Sequence, residues 1–265
     1  MNNRTEINTA EDANTAHYVG KINYQGQSRV LLLTPVTPAN DDEGPFHLDN
    51  LPFLSSTTVV DSAYCPGAPR SIRTVKDADQ AAPFVTEKVK WAEQQGYDAV
   101  IINCMLDPGL QAAKAAVRIP VIGIREANSI IARLIGSNPA TIYPDEIDIL
   151  NLNSDPEKTY ADLLAIGRQK IINQGADVLL PNCAYLGGLA QRLQEELNVP
   201  VLANRDVALK FGELLATFHL KKESPRVAAT RSRKKMMISK IYRLPAVGEL
   251  IYGMVLVMKK AIGRA

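Results

Sequence analysis

The chain is poor in several residue types. Its 265 residues include three cysteines, three histidines and one tryptophan, and aromatics make up 6%. Three cysteines in a chain of this length build no disulfide framework and read as reduced thiols of a cytoplasmic setting. Glycine and proline, at 16 each, are too few for collagen-like or low-complexity sequence. His17, His47 and His219 stand far apart, and no His/Cys/Asp spacing points to a metal. No Walker A and no Gly-x-Gly-x-x-Gly pattern follows a strand, so ATP and dinucleotide binding have no support. No apolar stretch opens the chain, so no secretory leader is expected. The most hydrophobic C-terminal run, Leu244 to Met258, contains Pro245 and Glu249 and is too short to span a membrane.

What is present is the composition of a globular chain with a sizeable core, 46% hydrophobic and 22% charged. The net charge of +2 hides an asymmetry. Residues 221–265 hold 12 of the 30 basic and two of the 28 acidic residues, which leaves 18 basic against 26 acidic in residues 1–220. The acidic body argues against nucleic-acid binding. The tail runs from Arg231-Ser232-Arg233-Lys234-Lys235 into Met236-Met237-Ile238. It is basic and partly amphipathic, open to three readings: contact with a membrane surface, with another protein, or with its own body or a second subunit.

Residues 1–28 are polar, lack an apolar face and read as a flexible arm. Strands are expected at Val30–Thr34 and Thr57–Val60, with a long loop from Pro35 to Ser55 between them and a helix over Pro83–Gln95. An internal repeat follows. Gln95-Gly96-Tyr97-Asp98-Ala99-Val100-Ile101-Ile102-Asn103-Cys104 matches Gln174-Gly175-Ala176-Asp177-Val178-Leu179-Leu180-Pro181-Asn182-Cys183 at an offset of 79. Gly109-Leu110 and Gly188-Leu189 keep that offset and open helical patterns, Leu110–Val117 and Leu189–Leu197. Each leads to a Pro-led strand, Ile119–Ile122 and Val199–Leu202, at an offset of 80.

Buried strands alternating with helices imply parallel α/β sheets. We therefore expect an α/β fold of two pseudo-symmetric lobes, each a mostly parallel sheet flanked by helices. The first lobe takes residues 29–125 and 201–220, the second 126–200, and 221–265 form a basic C-terminal extension. Each Asn-Cys then ends a strand, at the sheet edge where α/β proteins bind ligands.

A cysteine between a buried strand and a helix N-terminus meets the positive end of the helix dipole, which is expected to lower its pKa. Two such cysteines, Cys104 and Cys183, at equivalent points of facing lobes suit proton exchange at a stereocentre. One thiolate removes a proton next to a carbonyl, and the other thiol protonates the opposite face. Fixed N–H donors would hold the negative charge on oxygen, and neither metal nor organic cofactor is needed. The competing reading is that each cysteine is a small buried hydrophobe. A Cys104–Cys183 disulfide is a further alternative, and Cys65, outside the repeat, reads as structural.

The stretch Tyr97 to Leu110, with Asn103-Cys104-Met105-Leu106-Asp107-Pro108-Gly109-Leu110, and then Ile119-Pro120-Val121-Ile122-Gly123-Ile124-Arg125-Glu126-Ala127, resembles the aspartate/glutamate racemase superfamily and, within it, the hydantoin racemase family. Gly175 to Ala190 is similar to that family's second cysteine segment. The resemblance spans residues 29–220. It implies a two-lobed α/β fold and a cofactor-independent, two-cysteine racemase or epimerase, with Cys104 and Cys183 as acid and base. It also implies a small hydantoin-like or amino-acid-derived substrate and a homo-oligomer. The family's Asn-Pro-Asn-Thr loop is similar to Thr34-Pro35-Val36-Thr37, so Pro35 and Thr37 are carried over and Val36 replaces a polar contact. Its Gly-Pro-x-Ser-Ile loop is similar to Ala68 to Ile72, which brings in Ser71 and Ile72. Glu126 follows the Gly-Ile strand end. Met105, Asp107 and Ala184, beside the cysteines, complete the substrate-binding set, although Asp107 also reads as a turn or cap residue. The interval between the cysteines is shorter than the family's by about one helix with its loops, around Ala140–Tyr143 and Ile147–Leu152, which implies a remodelled pocket. A related decarboxylase or cis–trans isomerase using the same cysteines, and a non-enzymatic binding protein recruited through the basic tail, are the alternatives.

Overall fold

A computed structural model describes residues 26–39, 44, 46–143, 155–218 and 220–221. The chain divides into a unit of residues 1–221 and a unit of residues 222–265, and every described residue lies in the first. The expectations for most of the N-terminal arm, for Ile147–Leu152, for His17 and His219 and for the tail beyond residue 221 lie outside the described residues.

The larger sheet is built from β1 (Ser28–Thr34), β2 (Phe46–His47), β3 (Thr58–Tyr64), β4 (Ala99–Ile102) and β5 (Val121–Gly123), in the order β2-β3-β1-β4-β5. All neighbours are parallel except β2, which runs antiparallel to β3. β1 alternates its side chains between two apolar layers, the pattern of a strand covered on both faces. Leu31 and Leu33 join Val100 and Ile102 of β4 on one face, under Val85 and Val89 of helix α1 (Val75–Gln94) and Ala113 of α2 (Leu110–Ala116). Val30 and Leu32 join Ala99 and Ile101 on the other, under Ile124 of α3 (Ile124–Ile135) and Ala208 and Leu209 of α6 (Asn204–Thr217).

A smaller parallel sheet pairs β6 (Pro139–Ile142) with β7 (Val178–Pro181), covered by α4 (Pro156–Gln174) and α5 (Ala190–Leu197). α6 then returns to pack against β1 and β4.

The repeat is reproduced bond by bond. Asp98 Oδ2 accepts from the Arg29 N–H at 3.0 Å, and Asp177 Oδ1 from the Asn138 N–H at 2.8 Å. The Val100 N–H donates to Pro120 O, and the Leu179 N–H to Pro200 O. The Asn103 N–H donates to Leu33 O at 2.8 Å, and the Asn182 N–H to Ile142 O at 2.9 Å. Each aspartate of the Gly-x-Asp/Gly-Ala-Asp motif thus pins the start of the neighbouring strand, and each Asn-Cys leaves its sheet at the same point.

Several boundaries differ from the sequence expectations. α1 begins at Val75 rather than Pro83, because Thr74 and Asp77 form a capping box, and Pro83 lies inside the helix. β3 extends to Tyr64, and β2 lies within the expected Pro35–Ser55 loop. The second Pro-led strand, Val199–Leu202, is reduced to a single bridge between Val201 and Leu179. A 3-10 turn, Ala184–Leu189, precedes α5. No helix among the described residues is long and apolar enough to cross a membrane.

Candidate active site

Cys104 lies two residues beyond the end of β4, and Cys183 two beyond the end of β7. Both are free thiols, as is Cys65. Cys104 is half-buried against the α1/α2 layer, and Cys183 is 4% exposed in the core of the smaller sheet. The residues that follow them share a layer: Met105 belongs to the α3/α6 layer, and Ala184 packs against that same layer.

The charge of Cys183 reaches Cys104. Burial pushes the Cys104 thiol up to about 11; the Leu106 N–H opposes this, while the Asp107 carboxylate and a negative Cys183 add to it and Arg125 draws it down. Burial also raises Cys183, against two N–H donors, Tyr185 and Leu186. The Tyr185 phenol is raised too, by desolvation first and then by Tyr64, Cys183 and Cys104, with Arg205 acting against them. One tyrosine therefore registers both sulfurs. The expectation that the helix dipole lowers the thiol pKa values is corrected. Cys104 is separated from α2 by a five-residue turn, Cys183 heads only a short 3-10 turn, and desolvation outweighs the N–H donors at both.

The other sequence-derived residues divide into two groups. Thr37 and Pro35 lie on the β1 exit, with Pro35 buried. The Thr37 hydroxyl donates to Ala68 O at 2.6 Å and its N–H to Pro69 O at 3.3 Å, which ties this loop to the one that carries Ser71. Ser71 is half-buried. Ile72 and Met105, each 6% exposed, are core residues packed in apolar layers.

Asp107 is spent on structure. Its φ is 46°, and its carboxylate accepts from the Arg125 and Glu126 N–H groups at 3.0 and 2.9 Å, which caps α3. Gly123 is required beneath it, since a Cβ there would fall 2.3 Å from Asp107 Cγ. Glu126 is paired with Lys114 Nζ at 2.5 and 2.6 Å. The structure therefore gives the Asp107 and Glu126 carboxylates protein partners.

Sequence reading missed Arg125 near Cys104, Tyr185 with Tyr64 and Arg205 near its phenol, and the fully buried Asn128 and Asn204. A signal existed for the arginines, because Arg125-Glu126 and Arg205-Asp206 extend the repeat at the same offset of 80. Among the described residues no group of three His, Cys, Asp or Glu could hold a metal ion.

Residues 53–142 match the model of the Asp/Glu/hydantoin racemase family. Over 213 residues the chain is 27% identical to the hydantoin racemase of Pseudomonas sp. (strain NS671), which covers 71% of this chain and 85% of that one. In structure it is similar to the allantoin racemase from Klebsiella pneumoniae, with a TM-score of 0.63, 23% identity and coverage of 74% and 90%. It is likewise similar to the allantoin racemase from Pseudomonas fluorescens, with a TM-score of 0.65, 19% identity and coverage of 75% and 94%. The fold is that of these α/β racemases, and the chain is similar to members of the Asp/Glu racemase superfamily. Within that class, the chain resembles the hydantoin racemases.

Proposed function

We propose that the chain inverts the stereocentre of a small cyclic ureide of the hydantoin or allantoin type, by proton transfer between Cys104, the substrate carbon and Cys183. The observation that carries this reading is the pairing of two thiols at equivalent strand ends of a repeat, with the charge of Cys183 acting on Cys104. One thiolate takes the proton from the carbon next to the ring carbonyl. The C–H electron pair moves into the ring and leaves a planar enolate. The opposite thiol gives its proton to the other face. The carbon keeps one hydrogen, and the two sulfurs exchange protonation states, so each is base in one direction and acid in the other.

Both thiols are largely protonated at neutral pH in the resting protein, given their raised pKa values. The small thiolate fraction is stabilised by the Leu106 N–H at Cys104 and by the Tyr185 and Leu186 N–H groups at Cys183. The Thr37 and Ser71 loops flank the β1 exit and are the candidate walls for the ureide. We read the enzyme as a cytoplasmic homo-oligomer whose basic extension meets a membrane surface or a protein.

The test is inversion in deuterated water of each enantiomer of a 5-substituted hydantoin and of allantoin. Incorporation of one deuterium per inversion is expected, with loss of inversion in Cys104→Ala and in Cys183→Ala. Unimpaired inversion in either variant refutes the two-thiol mechanism. Decarboxylation of a malonate analogue without hydantoin inversion would assign the chain to the related lyases instead.

A further inference from the structure

α3 joins the two cysteine turns through hydrogen bonds in its first two turns. At its start, the Asp107 N–H donates to Cys104 O at 2.9 Å, and the Asp107 carboxylate holds the first turn of α3 through Arg125 and Glu126. Further along, Asn128 Nδ2 donates to Ile124 O at 2.7 Å and across to Asn204 O at 2.9 Å. Asn204, the first residue of α6, turns its Nδ2 onto Pro181 O and, at 3.4 Å, onto Cys183 O. These carbonyls belong to Cys183 itself and to the residue two before it. An unbroken path therefore runs Cys104–Asp107–α3–Asn128–Asn204–Cys183.

Neither asparagine is there for solubility. Both are 0% exposed, and the Oδ1 of each is buried and makes no hydrogen bond among the described residues. An unpaired buried acceptor is costly to a fold, so it is kept for a reason. All four partners of the two Nδ2 groups are carbonyl oxygens, which fixes which way each amide points. The first half of the repeat has Ile124 where the second has Asn204, at the offset of 80, so this clasp exists on the Cys183 side alone.

We infer that Asn204, supported by Asn128, is a positioning residue for Cys183, and that α3 with its clasps at Asp107 and Asn204 fixes the separation of the two thiols. This rests on the two-thiol reading above. Asn204 touches no reacting atom. It holds the main chain of Cys183, and a thiol displaced by a fraction of an ångström loses its line to the substrate carbon.

The test uses Asn204→Leu, which keeps the volume and removes both donations, and Asn128→Ala, which removes only the support. In Asn204→Leu, kcat is expected to fall about tenfold or more with KM little changed. The α-deuterium isotope effect on inversion is expected to grow for one enantiomer only, the same one whose isotope effect grows in Cys183→Ser. Iodoacetamide should modify Cys183 several-fold faster than in the parent chain while Cys104 is unaffected. Asn128→Ala should show the same bias at smaller size, and it carries the test if Asn204→Leu does not fold. Equal isotope effects for the two enantiomers, or an unchanged Cys183 alkylation rate, would overturn the inference. If instead the cysteine variants retain inversion, the two-thiol chemistry has failed, and the alkylation comparison still reports by itself whether Asn204 holds Cys183.

Discussion

The two cysteine turns start from the same repeat and finish differently. Up to Asn103 and Asn182 their backbone bonds coincide. Beyond that point, the Cys104 turn is held by a left-handed Asp107 and a left-handed Gly109, and its aspartate is committed to α3. The Cys183 turn is a 3-10 segment held from outside by Asn204. Cys104 has one N–H donor at its sulfur and a carboxylate nearby; Cys183 has two N–H donors and no carboxylate among its influences. The repeat places the pair of thiols. Beyond them the surroundings of the two differ, although burial raises both thiols.

The largest expected effect tests what the halves share. Cys104→Ala and Cys183→Ala should each lower inversion by roughly 10²–10⁴-fold, the usual contribution of a positioned acid or base. A large loss in one and none in the other would break the symmetry on which the mechanism rests. Next in size is the pH profile. Because burial holds Cys104 at about 11, the thiolate fraction grows with pH throughout the neutral range. Inversion should therefore climb about tenfold per unit from pH 7 towards 9, in line with the rising fraction of a group titrating above that range. A profile already flat at pH 7 would show a thiol that the environment leaves acidic.

The same raised value has a stability consequence with a definite sign. The unfolded thiol ionises near its ordinary 9.0, before the folded one. The folded state is therefore favoured fully below about pH 9 and loses that advantage as pH rises through about 11. Cys65, pushed up to about 12 by burial, acts in the same direction. Urea midpoints measured from pH 8 upward should fall, and Cys65→Ala should reduce the slope.

A smaller effect separates the glycines that the repeat aligns. Gly109 has φ +67°, and a Cβ there would lie 2.8 Å from Ala82 O, whereas a Cβ on Gly188 would meet nothing within 4 Å. Gly109→Ala should cost about 1–2 kcal/mol or more, and Gly188→Ala should stay within about 0.5 kcal/mol, by chemical denaturation. Equal costs would mean that the second turn is as constrained as the first. The smallest difference is expected between Asp98→Ala and Asp177→Ala. Both remove a carboxylate that accepts N–H groups at or just before a strand start, so each should lose on the order of 1 kcal/mol.

Legibility in the sequence followed locality. The β4 and β7 strands were readable because four apolar residues bounded by Gly-x-Asp and Asn-Cys carry their own punctuation. The start of α1 was hidden because Pro83 looks like a helix opening, while the Thr74/Asp77 box that opens it is a weaker signal. The second Pro-led strand failed because the smaller sheet offers it only one pairing residue. At the site, the cysteines were legible as a repeated motif. The duty of Asp107 and the Asn128–Asn204 clasp were not, because both depend on which helices the fold brings together, across 18 to 76 residues of sequence. The thiol pKa values were misjudged for a related reason: proximity to a helix start is visible in sequence, and desolvation is not.

The central claim is that two thiols serve opposite faces of one carbon. Its most direct test is inversion of a single hydantoin enantiomer in deuterated water by the parent chain, Cys104→Ala and Cys183→Ala, with product configuration and deuterium content read together. The account predicts an inverted, mono-deuterated product from the parent and inversion slowed by roughly 10²-fold or more in either variant. Inversion at the parent's rate by a chain with only one of the two cysteines would contradict it.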